Sequence, residues 1–232
     1  MKDPAMTTTT MAVTDETATA KQTTDGKGHA MTKAGYTHIA LLIDRSGSMM
    51  AIRDDAEGGI RSFIAEQAIA PGQATISLYQ FDQDYEKVFG AIPIGEAPPY
   101  RLVPRGSTAL LDALGESIVD TGEFLRGLPD HQRPATVVFA VVTDGRENSS
   151  KECTLEQIRK MIKNQTDTYG WQFAFLSADL NAIADAQQLG FAAAASASYT
   201  PDSEGTQLAY AALSRSVSRT RANGAPLDLS GS

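Results

Sequence analysis

The sequence predicts an α/β protein, a doubly wound three-layer sandwich whose central sheet is mostly parallel with one antiparallel edge strand. Three observations predict it. Strand and helix patterns alternate along most of the 232 residues, the order that builds parallel sheets through helical crossovers. Residues 37–43 (THIALLI) and 136–142 (TVVFAVV) are apolar almost throughout, as strands covered on both faces are. Residues 74–81 and 85–94 flank the polar turn Asp82-Gln83-Asp84 and read as a hairpin at a sheet edge.

The elements follow in order. The first strand ends at Asp44, and Gly47 marks a turn. Ile52, Ala56, Ile60, Phe63, Ile64 and Gln67 then recur at steps of three and four, which predicts a helix. Pro71-Gly72 stops it. The hairpin comes next, followed by a Pro-rich loop over residues 97–104. Leu110, Leu111, Leu114, Ile118 and Val119 share one face of a helix expected over about 108–125. The central strand, 136–142, leads into Thr143-Asp144-Gly145. Leu155, Ile158 and Ile162 predict an amphipathic helix over about 154–163. A buried strand is expected at 171–176 and a short helix at about 181–189. Residues 191–197 are ambiguous between loop and last edge strand. A final helix over about 202–221 starts at Asp202, a suitable cap.

Three segments result. Residues 1–35 are a Thr-, Ala- and Gly-rich leader without periodicity, too poor in large apolar residues to offset the entropy of ordering. Residues 36–222 form the folded domain. Residues 223–232 read as a flexible tail.

Composition excludes several classes. A formal charge of −8 argues against general nucleic-acid binding, which rests on clustered Lys and Arg. The single cysteine, Cys153, rules out an internal disulfide and a cysteine zinc cluster. No run approaches the roughly 20 apolar residues that cross a bilayer. The first residues lack the apolar core of a signal peptide. A cytoplasmic or virion-associated protein is the expectation, with no membrane partner.

In a doubly wound sheet, ligands bind outside the carboxyl ends of the strands, where the strand order reverses. The chemistry-bearing residues stand at those ends. Asp44-Arg45-Ser46-Gly47-Ser48 follows the first strand, Thr143-Asp144-Gly145 follows the central one, and Gly106-Ser107-Thr108 precedes a long helix. If the two strands are neighbours, Asp44, Ser46, Ser48, Thr108 and Asp144 face one small volume. Alternate side chains of an extended Asp-x-Ser-x-Ser point to one side. Every donor is oxygen, which suits magnesium, manganese or calcium and not zinc or copper. Few carboxylates with hydroxyls and water suit Mg2+ best; Mn2+ is the second choice and Ca2+ fits less well.

These residues, Asp44-Arg45-Ser46-Gly47-Ser48-Met49 with Thr108 and Thr143-Asp144-Gly145, resemble the metal-ion-dependent adhesion site (MIDAS) of von Willebrand factor A domains, a Rossmann-like fold. The resemblance covers about residues 36–220. Glu147-Asn148-Ser149-Ser150 and Tyr169-Gly170-Trp171-Gln172-Phe173 are also similar to small standalone members from bacteria and phages. The resemblance implies roles. Ser46 and Ser48 bind the metal through their hydroxyls, and Thr108 joins when a ligand is present. Asp44 and Asp144 bind directly or through water and orient the serines. It also implies a protein partner that offers a Glu or Asp carboxylate to the metal.

Other residues have plainer readings. Thr108 alone would serve equally well as a helix cap. His29, His38 and His131 are scattered. Cys153 reads as a bystander at a helix start, and Trp171 as core or rim packing. Asp82 and Asp84 read as a solvated hairpin turn in preference to calcium ligands, and Asp54, Asp55 and Glu57 as a solvated first helical turn. Arg146 and Glu147 stand beside the site as partner contacts or simply as surface residues. The leading functional expectation is a Mg2+-dependent protein-binding or adhesion module without catalytic residues. The alternative is a structural component of a bacterial or phage assembly with a stabilising metal. A metal-dependent hydrolase ranks lower, because Ser46 stands where aspartate phosphatases carry a second Asp and no Gly-Lys-Ser/Thr loop is present.

Overall fold

The structure, a computed structural model, describes residues 32–179 and 181–230. Six strands form one sheet: β1 (Lys33–Asp44), β2 (Gln73–Phe81), β3 (Tyr85–Pro93), β4 (Pro134–Thr143), β5 (Gln172–Ser177) and β6 (Ser196–Ser198). Their spatial order is β3-β2-β1-β4-β5-β6. Every pairing is parallel except β2–β3, the predicted antiparallel edge hairpin.

Helices cover both faces. On one side lie α1 (Arg53–Ile69) and α5 (Ser203–Asn223), which pack with Ile39, Leu41 and Ile43 of β1. On the other lie α2 (Leu110–Gly127), α3 (Leu155–Tyr169) and α4 (Ala182–Leu189), which enclose Ala40, Leu42 and the aromatic residues of β4 and β5. Alternate residues of β1 thus enter different cores, which is why its sequence is apolar without a break. Leu41 and Leu42 are both fully buried; each such side chain contributes roughly 1.5–3 kcal/mol. Trp171 is buried and stacks on Phe173, as a core residue.

Local chemistry sets the helix ends. Thr154 and Gln157 form a reciprocal capping box at the start of α3, and Gly170 closes it at φ +68°. The Asp202 carboxylate accepts the Gly205 N–H at 2.7 Å at the start of α5. The helix expected from about residue 108 begins at Leu110. Its first N–H groups are taken from outside: Glu147 accepts from Leu111 N at 2.9 Å, and Ser150 Oγ lies 3.1 Å from Leu111 N and Asp112 N. Thr108 is therefore not the cap.

Three boundaries differ from the sequence reading. Strand β1 begins inside the segment assigned to the leader, because Lys33 N donates to Arg133 O at 2.7 Å. Gly35, at φ +71°, sits where the β1–β4 register shifts, and this irregularity hides the strand's start. Helix α3 continues to Tyr169 through polar residues 164–168, which carry no apolar periodicity. The C-terminal segment, read as flexible, is docked through residue 229. Leu227 and Leu229 are 5% and 2% exposed and join the α1/α5 core. Leu229 N donates to Ala194 O at 2.6 Å and Leu227 N to Gln172 Oε1 at 2.8 Å. Their isolation between polar residues concealed this. Residues 1–31 of the leader lie outside the described residues.

Candidate functional site

Strands β1 and β4 are neighbours in parallel register, with Ile43 opposite Val142. The strand order reverses between them. The chain leaves β1 toward α1 on one face and β4 toward α3 on the other. A crevice opens at their carboxyl ends, and three loops meet there.

The first loop folds on Asp44. Its Oδ1 accepts the Ser46 N–H at 2.6 Å, a tight Asx turn. Its Oδ2 accepts the Thr143 hydroxyl at 2.5 Å. Asp44 thus cross-links the ends of both central strands. The Ser46 and Ser48 hydroxyls lie 3.1 Å apart, and Ser48 Oγ donates to Asp144 Oδ1 at 2.7 Å. Ser48 spends its proton on Asp144, so Ser46 donates to Ser48. The order Ser46, Ser48, Asp144 crosses from the first loop to the second.

The third loop carries Thr108. It is fixed to the first by Arg105 N→Arg45 O at 2.7 Å and Gly47 N→Gly106 O at 3.2 Å. It is fixed to the second by a two-way bond with Asn148: Thr108 N donates to Asn148 Oδ1 at 2.9 Å, and Asn148 N donates to Thr108 O at 3.0 Å. Gly106 has φ +69°, and a methyl group there would fall 1.7 Å from Gln83 Oε1. Only glycine fits.

The Thr108 hydroxyl points into the crevice. A methyl group on Gly145 would touch both Ser48 Oγ and Thr108 Oγ1 at 3.5 Å, so these hydroxyls flank one small space. Thr108 as a residue is only 3% exposed, and its hydroxyl, which makes no hydrogen bond among the described residues, is open to the crevice. All five residues singled out in the sequence come together here.

The electrostatics of the crevice favour a cation. Asp44 is fully buried. Burial pushes its carboxyl up to about 6, and the Asp144 charge adds to this against hydrogen bonds from Thr143 and Ser46. Burial also raises Asp144, against the hydrogen bond from Ser48. Among the described residues no Lys or Arg pairs with either carboxylate. One buried and one half-buried carboxylate without a counter-ion among the described residues, beside three hydroxyls, fit a hard divalent cation. Among the described residues no group of three or more His, Cys, Asp or Glu forms a denser ligand cage. Asp44, Asp144, Ser46, Ser48 and Thr108 are the residues that could hold the ion.

Several neighbours have roles that their sequence context did not reveal. Thr143 positions Asp44, Asn148 positions Thr108, and the Tyr199 hydroxyl donates to Thr143 O at 3.2 Å. Glu147 is tied into its loop and the first turn of α2, which a plain surface reading did not foresee. Besides Leu111 N, its carboxylate accepts Ser149 N at 2.9 Å, Ser150 N at 2.7 Å and Ser150 Oγ at 2.7 Å. Arg146 pairs with Asp185 at 3.0 Å. The solvated-turn readings fail for two acidic residues. Asp82 is fully buried and ion-paired to Arg45 and Arg105, and Glu57 accepts the Leu102 N–H at 2.8 Å. Cys153 packs against Gly115, and burial raises its thiol, with nearby carboxylates adding to the shift; this is the reverse of a reactive cysteine. A cleft of about 330 Å³ opens beside Gly145, floored by Leu110, Phe175 and Leu189.

No protein-family model matches the sequence, and no curated protein does. Solved structures do match in fold. The pilus adhesin SpaC of Lactobacillus rhamnosus GG aligns with a TM-score of 0.60 at 12% identity, over 83% of this chain and 31% of its own. Proximal thread matrix protein 1 of the mussel byssus aligns at 0.55 and 14%, over 77% of this chain and 47% of its own. A von Willebrand factor type A protein from Catenulispora acidiphila aligns at 0.53 and 12%, over 81% and 43%. This chain spans less than half the length of each. The mixed six-stranded sheet flanked by helices is the von Willebrand factor A, Rossmann-like fold. A further structure of the mussel protein, with a TM-score of 0.53, is described as having a zinc-occupied MIDAS motif.

Proposed function

We propose that the chain is a metal-dependent protein-binding module and not an enzyme. The crevice is its MIDAS. Mg2+ is held by Ser46, Ser48 and Thr108, with Asp44 and Asp144 bound directly or through water, and an acidic side chain of a partner protein completes the coordination. The observation that carries this reading is the Thr108 hydroxyl: on a residue only 3% exposed, open to the crevice without a hydrogen bond among the described residues, and facing Ser48 across Gly145. The usual alternative role of such a threonine, capping the helix, is performed by Glu147 and Ser150.

The bound ion would supply a Lewis-acidic position that attracts a carboxylate. The chain's own residues do the rest. Asp44 and Asp144 provide the charge, Thr143 and Asn148 set the geometry, and the serine hydroxyls give a weak-field, weakly neutralising ligand set. Few negative ligands leave the ion electrophilic. The all-oxygen donor set favours Mg2+ or Mn2+ over the zinc named for the mussel protein. Two of the similar structures, a pilus adhesin and a thread matrix protein, are named as adhesive or assembly proteins, which supports a binding role and keeps a structural role in an assembly as the second reading. Hydrolysis is disfavoured by the position of the two described histidines. His38 is buried in β1 beside Thr75, and His131 lies before β4, at the sheet end opposite the crevice.

A crystal structure with Mn2+ and acetate tests this reading. The expected result is an anomalous peak among Ser46, Ser48 and Thr108 with acetate in the open position. A crevice without the ion at saturating Mn2+ would overturn it.

A further inference from the structure

We propose that Asp82 is an electrostatic lock for the metal site, holding the Arg45 guanidinium away from Asp44 so that the crevice keeps its negative charge. This rests on the metal-binding reading above and adds a residue outside the ligand set.

Arg45 stands between two metal-site residues, Asp44 and Ser46. Alternation along the extended loop turns its side chain to the opposite side. There it is buried, with its side chain 6% exposed. Arginine stays charged at any working pH, so a permanent positive charge lies one residue from the carboxylate that should attract the ion. Left unpaired, it would compete with the metal for Asp44.

The β2–β3 turn prevents this. Asp82, whose side chain is fully buried, places Oδ2 3.0 Å from Arg45 Nε and 2.6 Å from Arg105 Nε. The Arg45 Nε–H makes no hydrogen bond, so the Arg45–Asp82 contact is an ion pair held by charge. Glu86, half exposed, takes Arg45 Nη1 at 2.8 Å. The carboxylate of Asp82 is held in turn: Oδ1 accepts the Asp84 N–H at 2.7 Å.

The same residue reaches both metal-site loops through the backbone. Asp82 O accepts the Ala109 N–H, next to Thr108, at 2.9 Å. Arg105, its second partner, donates its backbone N–H to Arg45 O at 2.7 Å. Asp82 thus joins the Asp44 loop, the Thr108 loop and the hairpin.

Mg2+ titration of chelator-treated protein tests the lock. Asp82→Asn keeps the size and the Oδ1 acceptor, removes the charge, and puts an amide donor where Oδ2 accepts the Arg105 Nε–H. We expect it to weaken Mg2+ binding by about tenfold or more, the scale of one unbalanced charge near the site. Arg45→Gln alone should leave affinity unchanged or tighten it. The double variant Arg45→Gln with Asp82→Asn should return to within about threefold of wild type. That recovery is the readout a purely structural role would not give. Wild-type affinity in Asp82→Asn overturns the proposal, and so does a loss that Arg45→Gln fails to recover. Should Asp82→Asn not fold, the half-exposed Glu86→Gln replaces it: a loss of about threefold, recovered by Arg45→Gln, supports the lock, and no loss overturns it. Absence of Mg2+ binding by the wild type itself is a different failure, that of the metal reading, and the proposal falls with it.

Discussion

Asp44→Asn should make the metal-free protein more stable while destroying its metal site. The Asp44 carboxyl is fully buried and its ionisation is pushed from 3.8 up to about 6. Between those values the native state holds a proton that the unfolded chain has lost. The stability of the metal-free protein therefore falls as pH rises through this window, and the full cost is in place above about pH 6. The shift corresponds to about 3 kcal/mol. Asparagine removes that cost and keeps the geometry. Its Oδ1 accepts the Ser46 N–H that now goes to Asp44 Oδ1. Its amide donates to Thr143 Oγ1, whose own proton turns to Gly145 O, 3.1 Å away. Urea denaturation in EDTA at pH 7.5 should show the variant more stable by about 2–3 kcal/mol, and the gap should close near pH 4. With Mg2+ at a hundredfold over its dissociation constant, the wild type alone gains about 2.7 kcal/mol. A variant equal to or weaker than wild type in EDTA at pH 7.5 would refute the reasoning.

Three further outcomes follow from the packing. His38 is buried, and burial lowers its ionisation from 6.5 to about 4; the unfolded chain binds a proton in that window that the native state does not, so stability is lost as pH falls from 6.5 to 4. Compared with His38→Gln in urea titrations, the wild type should lose about 3 kcal/mol more across that interval, and parallel curves would contradict this. Gly59 lets α1 lie against α5: a methyl group there would fall 2.2 Å from the Tyr210 ring, so Gly59→Ala should cost about 2–3 kcal/mol in chemical denaturation. Leu229→Ala should cost about 2 kcal/mol in the same assay, because Leu229 is 2% exposed; a change near zero would mean that the C-terminal segment does not hold the core.

The fold was legible because its central strands are covered on both faces, which leaves unbroken apolar runs in β1 and β4, and because the turn at residues 82–84 marks the one antiparallel pair. Asp44, Ser46, Ser48 and Asp144 were legible because they follow the ends of apolar strands, and Thr108, in the loop before α2, because it completes the motif that they resemble. What escaped is what depends on contacts between distant segments. Asp82 looks like any acidic turn residue until Arg45 and Arg105 are seen beside it. Asn148 and Glu147 sit in a polar loop, and only the third dimension brings them to Thr108 and to the first turn of α2. Leu227 and Leu229 show no periodicity, so only the groove beside α5 explains their burial. The edge strand β6 has three residues, too few for alternation to be read.

Isothermal titration of Mg2+ into chelator-treated wild type, Ser48→Ala and Thr108→Ala tests the central claim most directly. The account predicts one site per chain in the wild type, weakened in both variants while their folding is unchanged. Equal binding in all three, or none in a folded wild type, would contradict it.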